Sequence, residues 1–377
     1  MSAQPAPRKI RVALLFGGRS GEHSISCATA AGVLGAIDRD RYDVVPIGIT
    51  RTGRWVLAAD DAAALALNPG ALPQVPDDPT TGEVSLSLTA GDQSLRVCSP
   101  GEVLQQLGDI DVVFPVLHGP FGEDGTLQGL LELADLPYVG SGVLASAVGM
   151  DKHFMKVVCA GAGIPVGPFE VVHARQWAAD PDSVTRRVSR LELPLFVKPA
   201  RAGSSLGISR IESLDDLPAA ITEAARHDPK VLVEQGIAGR EIECAVLGGL
   251  GGGPTRASLP GEIIVDRDKA AFYDFDAKYL DDAVVQLACP ADLSAEMTDA
   301  VRDIAVRTFD AIEAEGLSRV DVFVTPEGAV ILNEINTMPG FTPISMFPRM
   351  WQATGISYPE LIDDLITQAL ERPIGLR

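Results

Sequence analysis

Three oxygen-bearing residues near the C-terminus, Asp321, Glu334 and Asn336, have the types and spacing to hold a cation, and Arg319 shares their face; all lie within RVDVFVTPEGAVILNEINTMPG, residues 319–340. VDVFV and AVILNEI are rich in β-branched and apolar residues, and PEG between them is a turn, so the stretch reads as a hairpin. Side chains two apart on a strand share a face. Arg319 and Asp321 therefore point one way on the first strand, and Glu334 and Asn336 point one way on the second. Two carboxylates and an amide oxygen form a hard-oxygen set of the kind that suits Mg2+, with phosphate and water completing the shell. A wet sheet face carrying an ordinary ion pair would show the same pattern.

Other chemistry-bearing stretches lie upstream. Lys198 ends a strand, LPLFVKPA, and Ala202-Gly203-Ser204-Ser205-Leu206-Gly207 follows. Glycines and serines let backbone N–H groups converge on phosphate, and the lysine adds a point charge. The lysine precedes the loop, so this is not the common G-x-x-x-x-G-K-[ST] arrangement, and a plain turn explains it equally well. Glu234, in VLVEQ, could meet a ribose or a base edge, although taken singly it is better explained as a solvated strand end. In YDFDAKY, Lys278 could meet a terminal phosphate and Tyr279 offers a hydroxyl near a reacting group. The alternative is a surface loop pinned by Tyr273, Phe275 and Tyr279. Glu22, after a glycine turn, could hold an ammonium group. The tip with His118, Glu123 and Asp124 could shape the same cleft. His118 has no second histidine at ligand spacing, which argues against zinc, and a hydrogen-bonded structural role suits it as well as a substrate contact.

These residues need a frame. At 377 residues and about 150 residues per domain, two or three domains are expected. The net charge of -20, from 31 basic and 51 acidic residues, argues against general nucleic-acid binding. A local pocket can still be positive. The five cysteines form no C-x-x-C pair, so they read as small core residues in a reducing compartment. No signal peptide and no run of 18 or more apolar residues is visible. A cytoplasmic protein without membrane contact is the expectation.

The element order is α/β with a mixed α+β remainder. Ile10–Phe16 reads as a buried strand that runs through GGRSGEHS into a helix, the opening of an α/β unit. VVPIGIT (44–50), a hairpin in EVSLSLTAGDQSLRV, and Asp111–Leu117 supply further strands; PYVGS (137–141) is a short strand and turn. Asp151 caps a helix whose apolar residues Phe154, Val157 and Val158 follow a 3.6 period. FEVV, LPLFVKPA and KVLVEQGI are strands, and SLDDLPAAITEAARH is a helix with Ser213 as cap and Asp216 in the capping-box position. REIECAVLGG is a strand on which Glu241 and Glu243 share a face. Val301, Ile304, Ala305, Thr308 and Ile312 form a helix stripe before the key hairpin, and a helix closes the chain. Boundaries near 145 and 235 divide it into 1–145, 146–235 and 236–377.

Together these segments resemble the D-alanine–D-alanine ligase family of the ATP-grasp superfamily. The matching pieces run in family order: FGGRSGEHSIS (16–26), HGPFGEDGTLQG (118–129), MDKHFMK (150–156), FVKPARAGSSLGIS (196–209), VEQGIAGREIE (233–243), LPGE (259–262), YDFDAKY (273–279), RVDVFV (319–324) and NEINTMPGFTPISMFP (333–348). The resemblance fits a bacterial, and within that an actinobacterial, origin. The resemblance implies a three-domain ATP-grasp fold with ATP between the central and C-terminal domains, and a homodimer. It implies ligation of two D-alanines for peptidoglycan through a D-alanyl phosphate. Carried over residue by residue, Glu22 holds the first D-alanine's ammonium, and Lys152, Lys198, Ser205 and Lys278 meet ATP phosphates or their loop. Glu234 and Glu241 bind adenosine. Ser204 links Glu22 to Tyr279. His118, Arg319, Gly340, Ser345 and Met346 contact substrate. Asp321, Glu334 and Asn336 bind two Mg2+ or Mn2+ ions. Activation by K+ is left open. A tyrosine at 279 favours an amine over a hydroxy acid as second substrate, while Met346 stands where leucine is common. Another ATP-grasp ligase, or a binding module that keeps the fold, are the competing readings.

Overall fold

The computed structural model describes residues 8–67, 72–99, 101–203, 206–265 and 285–373. Ser204, Ser205, Lys278 and Tyr279 fall outside them, as do Tyr273 and Phe275.

Three sheets follow one another along the chain. The first starts with β1 (Ile10–Gly17), α1 (His23–Ala36), β2 (Tyr42–Ile49) and β3 (Trp55–Leu57). β4 (Glu83–Leu86), β5 (Ser94–Cys98), β6 (Gln105–Asp109) and β7 (Val112–Pro115) complete it, in the order β6-β5-β4-β3-β2-β1-β7. β1 pairs in parallel with both β2 and β7, and the remaining pairs are antiparallel. The expected 83–98 hairpin is present; β6 adds a strand beside it, and the expected strand at 137–141 reduces to one bridge, Tyr138 to Val113. β1 and β7 end side by side. Ser26 ties their exits together: its hydroxyl donates to the Val116 carbonyl (2.6 Å) and accepts from the Gly17 amide (2.8 Å). Both polar tips therefore emerge at one edge, beyond the carboxyl ends of parallel strands, where such sheets favour ligands.

α2 (Thr126–Leu133), α3 (Val143–Met150) and α4 (Lys152–Gly161) lead to the second sheet. That sheet is antiparallel, in the order β10 (Ser209–Ile211), β9 (Leu195–Pro199), β11 (Lys230–Gln235), β8 (Phe169–His173). α5 (Ala174–Ala179), α6 (Pro181–Val188) and α7 (Leu217–Ala225) accompany it. Val184, Val188, Leu217 and Ile221 close its core. Ser213 caps a single 3-10 turn through the Asp215 amide, and Asp216 stands at the N-cap of α7 without a side-chain cap bond, so the expected capping box does not form. α4 also departs from expectation. Phe154 and Val157 point outward, while Lys152, Met155, Lys156 and Cys159 face inward. The inward side of this helix meets a cleft, and the charges go there.

The third sheet runs β15 (Val285–Ala288), β14 (Gly261–Val265), β12 (Arg240–Leu247), β16 (Leu317–Val324), β17 (Val330–Asn336), with β13 (Arg256–Ala257) on β12. α8 (Ala295–Ala311) covers one face with Val301, Ile304, Ala305 and Thr308, as its stripe predicts. The other face is apolar at one end, where Ala245, Leu247 and Leu317 join Phe347 and Trp351 of α9 (Met346–Thr354). α10 (Tyr358–Glu371) continues this core onto β1 and β7 through Leu361, Leu365, Val12 and Phe114. The end of the chain thus packs on the sheet that begins it. Among the described residues no helix is long and apolar enough to cross a membrane.

Asp151 fastens α4 to the second sheet. Its carboxylate accepts from the His153 and Phe154 amides and pairs with the buried Lys230 ammonium at 2.6 and 2.7 Å. Removing one partner of a buried pair strands the other charge, so Asp151→Ala is expected to cost about 3–5 kcal/mol. Urea unfolding checks this, and Asp151→Ala/Lys230→Met should lose less than Asp151→Ala alone.

Candidate active site

The polar end of the third sheet carries a row of carboxylates. In register, Glu243 on β12 lies opposite Asp321 on β16, which lies opposite Glu334 on β17. The next rung holds Ala245, Arg319 and Asn336. A one-residue bulge makes this possible: Val322 pairs Leu332, yet Asp321 pairs Glu334, leaving Asn333 extra. Leu332 and Ile335 both enter the core, and Glu334 turns to the cleft with Asp321. Arg319 clamps Asp321 with two 2.7 Å bonds and reaches Glu243 at 3.2 Å. Burial alone would lower its pKa; Asp321 and Glu243 overrule burial and raise it well above the usual value. The Asn336 amide donates to Asp321 at 3.1 Å. Gly261, opposite Glu243, leaves room for the buried Met346, whose sulfur would stand 2.5 Å from a Cβ there.

Lysines of α4 and β9 stand beside this row. Lys152 Nζ lies 3.3 Å from Glu334 and donates to the Ala202 carbonyl at 2.9 Å. Its own amide bonds the Ala200 carbonyl. Burial would lower its pKa, but Glu334 overrules it and the net shift is upward. Lys198, at the end of β9, pairs with Glu234 on β11, and Lys156 pairs with the same carboxylate at 2.8 Å. Asp228 anchors the start of the 201–207 loop: it accepts from the Arg201 amide and guanidinium and from the Lys230 amide. Gly207 ends it at φ +71, where a Cβ would fall 2.4 Å from the His227 ring.

The tips of the first sheet close the cleft. Glu22 stands between two glycines: a Cβ on Gly119 or on Gly203 would lie 2.9 Å from Glu22 Oε2. It therefore borders both its own domain's second tip and the loop after Lys198. His118 is buried; its Nδ1 donates to the Met338 carbonyl at 3.0 Å, which leaves Nε2 to accept from Thr29 at 3.4 Å. Burial holds its pKa down. His23 works likewise, donating to Gly18 and accepting from the Val75 amide. Glu123 accepts from the Gly119 amide (2.7 Å) and the Met338 amide (3.2 Å), so it joins the tip to the strand leaving the carboxylate row. Beyond that strand, Ser345 bonds Thr342 and packs against Gly340. Glu241, half-buried, sits one inward-facing position from Glu243 on β12.

The structure thus gathers Lys152, Lys198, Glu234, Arg319, Asp321, Glu334 and Asn336 around one cleft, with Glu22 at its other wall. Two described residues with strong claims on that cleft are not among the sequence candidates, Lys156 and Arg201's partner Asp228. An i, i+4 lysine pair in MDKHFMK was the available signal for Lys156.

Two family models cover most of the chain: D-ala D-ala ligase N-terminus matches residues 11–141, and D-ala D-ala ligase C-terminus matches residues 158–367. The chain belongs to the D-alanine–D-alanine ligase family. A D-alanine–D-alanine ligase from Arthrobacter sp. (strain FB24) is 60% identical over 373 residues, covering 99% of this chain and 97% of its own. The relative of that name from Streptomyces griseus is 54% identical, covering 100% and 96%. Among solved structures, the VanG D-Ala:D-Ser ligase from Enterococcus faecalis superposes with a TM-score of 0.82 at 35% identity, covering 96% of this chain and 100% of its own. The D-alanine–D-alanine ligase from Coxiella burnetii gives 0.79 at 37%, covering 96% and 94%. The fold is the ATP-grasp fold of this ligase family.

Glu123 gives the family cleft a pH-dependent element. Burial, and then Glu22, push its carboxyl up to about 8, against the two amides and Lys152. With the folded pKa above the unfolded one, its contribution is complete below about 4.5 and falls as pH rises through about 8. Glu123→Gln should therefore flatten the decline in urea midpoint between pH 5 and 8. An unchanged slope would assign that decline to other groups.

Proposed function

We propose that this chain is an ATP-dependent ligase that joins two D-alanines into D-alanyl-D-alanine, a precursor of peptidoglycan. The carrying observation is that Lys152 of α4 meets the carboxylate row of the third sheet while Lys198 stands at the end of β9, with Glu22 beside the loop that follows it. That is the charge arrangement a nucleoside triphosphate and an amino acid require together.

A free carboxylate is a poor acyl donor, because its carbon carries no leaving group. In the first step a carboxylate oxygen of the first D-alanine attacks the γ-phosphorus, and the bond to ADP breaks with its electron pair. The amine of the second D-alanine then attacks the acyl carbon, loses a proton, and phosphate leaves. Glu22 holds the first ammonium and fixes that substrate. Its place beside Gly203 supports the assignment of Ser204, the next residue, to the Glu22–Ser204–Tyr279 link. Lys152, Lys198 and, from the YDFDAKY stretch, Lys278 neutralise phosphate charge, with Ser205 in the loop. Glu234 and Glu241 take adenosine. Arg319 and the amide at Gly340 stabilise the oxyanion that forms at the acyl carbon. Ser345 and Met346 border the second substrate, and His118, on the tip after β7, contacts substrate.

Asp321, Glu334 and Asn336 fit Mg2+ or Mn2+. Their donors are hard oxygens on adjacent rungs of one sheet face. Among the described residues no group of three or more acidic, histidine or cysteine side chains is placed to hold a metal by itself. Two carboxylates and an amide accordingly leave the shell to phosphate oxygens and water, as Mg2+ sites do. Bound there, two such ions would supply charge neutralisation on the transferring phosphoryl group. We also assign the parts 1–145, 146–235 and 236–377 to substrate, nucleotide and metal work respectively. A cytoplasmic homodimer is the assembly we expect.

The test offers purified chain ATP and Mg2+ with D-alanine, L-alanine, D-alanine plus D-serine, or D-alanine plus D-lactate. Phosphate release and product masses are the readouts. D-alanyl-D-alanine in a one-to-one ratio with phosphate is expected. D-alanyl-D-serine as the main product would move the chain to the specificity named for the VanG relative. A further expectation concerns Tyr279: Tyr279→Phe should raise D-lactate incorporation relative to D-alanine, and an unchanged ratio removes that residue from acceptor choice.

A further inference from the structure

Lys156 is buried in the cleft wall, and nothing in the reaction above uses it. It lies one helical turn after Lys152 on the inward side of α4 and is 2% exposed. Its ammonium sits 2.8 Å from Glu234 Oε1, while Lys198 takes Oε2 of the same carboxylate. Glu234 itself is 7% exposed. One buried carboxylate is therefore shared by two buried lysines that arrive from different elements, a helix and a strand.

The two lysines are not equivalent. Lys198 ends the strand that leads into the 201–207 loop, so a phosphate in that loop competes with Glu234 for its ammonium. When phosphate wins, Glu234 loses one counter-charge. A buried carboxylate left without any would take up a proton, and a protonated carboxyl presents a different hydrogen-bonding pattern. Lys156 comes from α4 and is held in place by the packing of Met155 and Cys159 on either side of its turn.

We propose that Lys156 is a positioning residue for nucleotide binding, the fixed counter-charge that keeps Glu234 ionised and aimed while Lys198 moves to phosphate. The proposal rests on the reading of Glu234 and Lys198 as nucleotide contacts. Burial by itself would push the Glu234 carboxyl up; Lys156, and then Lys198, outweigh burial and hold it at about 2. An ionised carboxylate only accepts hydrogen bonds. It suits the exocyclic N–H of adenine and leaves guanine, whose corresponding atom is a carbonyl oxygen, unpaired. The same lysine thereby contributes to the choice of base.

The experiment uses the full chain and isothermal titration with ADP and GDP, beside steady-state kinetics in ATP and D-alanine. Lys156→Met should weaken ADP binding by about tenfold or more, in line with loss of a charge-assisted contact. The KM for ATP should rise equally, the KM for D-alanine should stay put, and the preference for ADP over GDP should shrink. Lys156→Arg should restore most of the affinity. Lys156→Met/Glu234→Gln should bind ADP no more weakly than Glu234→Gln. Lys156→Gln, which retains a neutral donor, replaces Lys156→Met where the latter does not fold. If Glu234→Gln weakens ADP and the Lys156 variants do not, the role of Lys156 is refuted and Glu234 stands. If Glu234→Gln binds ADP as the parent does, the nucleotide reading of Glu234 fails and the proposal falls with it. Equal losses in both KM values would make Lys156 a purely structural residue and refute it too.

Discussion

Glu243, Asp321 and Glu334 stand on consecutive strands of one sheet, side by side and largely out of water. Three carboxylates cannot occupy such a row uncompensated, because the desolvation of each costs several kcal/mol before their mutual repulsion is counted. Arg319 compensates two of them from the neighbouring rung, and Lys152 compensates the third from α4. The hairpin therefore depends on α4 and the second sheet for its charge balance. Lys152 in turn is held by Ala200 and Ala202, so the loop after Lys198 is positioned by the same contact that neutralises Glu334. The sides proposed for phosphate and for metal are parts of one electrostatic arrangement.

This arrangement is also a store of exchangeable charges. Among the described residues, each cationic side chain that the proposed reaction would use already has a carboxylate partner. Lys152 rests on Glu334, Lys198 on Glu234, and Arg319 on Asp321 and Glu243. On the function proposed above, a polyanion with divalent cations would substitute for these pairings: cations would take the carboxylates, and phosphates would take the lysines. Exchange of one set of buried pairs for another costs much less than creating or abolishing them, since desolvation has been met in folding. Residues with a second partner, such as Arg319 with Glu243 and Glu234 with Lys156, are the ones that keep their orientation through the exchange.

How far the sequence reveals this depends on whether the contact is local. Strand alternation was enough to put Arg319 with Asp321, and the hairpin pairs them with Asn336 and Glu334. It does not reveal the bulge. Strict alternation from Leu332 would send Glu334 into the core, and only the extra residue Asn333 turns it outward. Apolar periodicity misplaced α4, because a helix beside a polar cleft buries its lysines and leaves Phe154 and Val157 outside. The three-sheet order and the pattern of α8 are readable, since each element buries a stripe against its neighbour. The bonds of His118 and Glu123 to Met338 span more than 200 residues and follow from topology, which no local pattern encodes. The catalytic candidates Ser204, Lys278 and Tyr279 remain sequence assignments.

The return of the C-terminal helices to the first sheet has a chemical reason. Two amino acids and a triphosphate must meet with their reacting atoms aligned, and misplacement by about 1 Å can cost 10²-fold in rate. The residues proposed for the first substrate lie on the first sheet, and those for the second lie after β17. Several contacts lock these together. Tyr358, at the start of α10, donates its hydroxyl to the Phe341 carbonyl at 2.6 Å, and its ring packs on Phe341. Gly32 of α1 admits Pro343 so closely that a Cβ would lie 2.8 Å from the proline ring. His118 and Glu123 grip Met338 from the other side. The segment from Met338 to Pro343 is therefore held by the tip after β7, by α10 and by α1, although it continues directly from the carboxylate-bearing strand. The central sheet has a core of its own and meets α4 through the Asp151–Lys230 and Lys156–Glu234 ion pairs and the bond from the Lys152 amide to the Ala200 carbonyl.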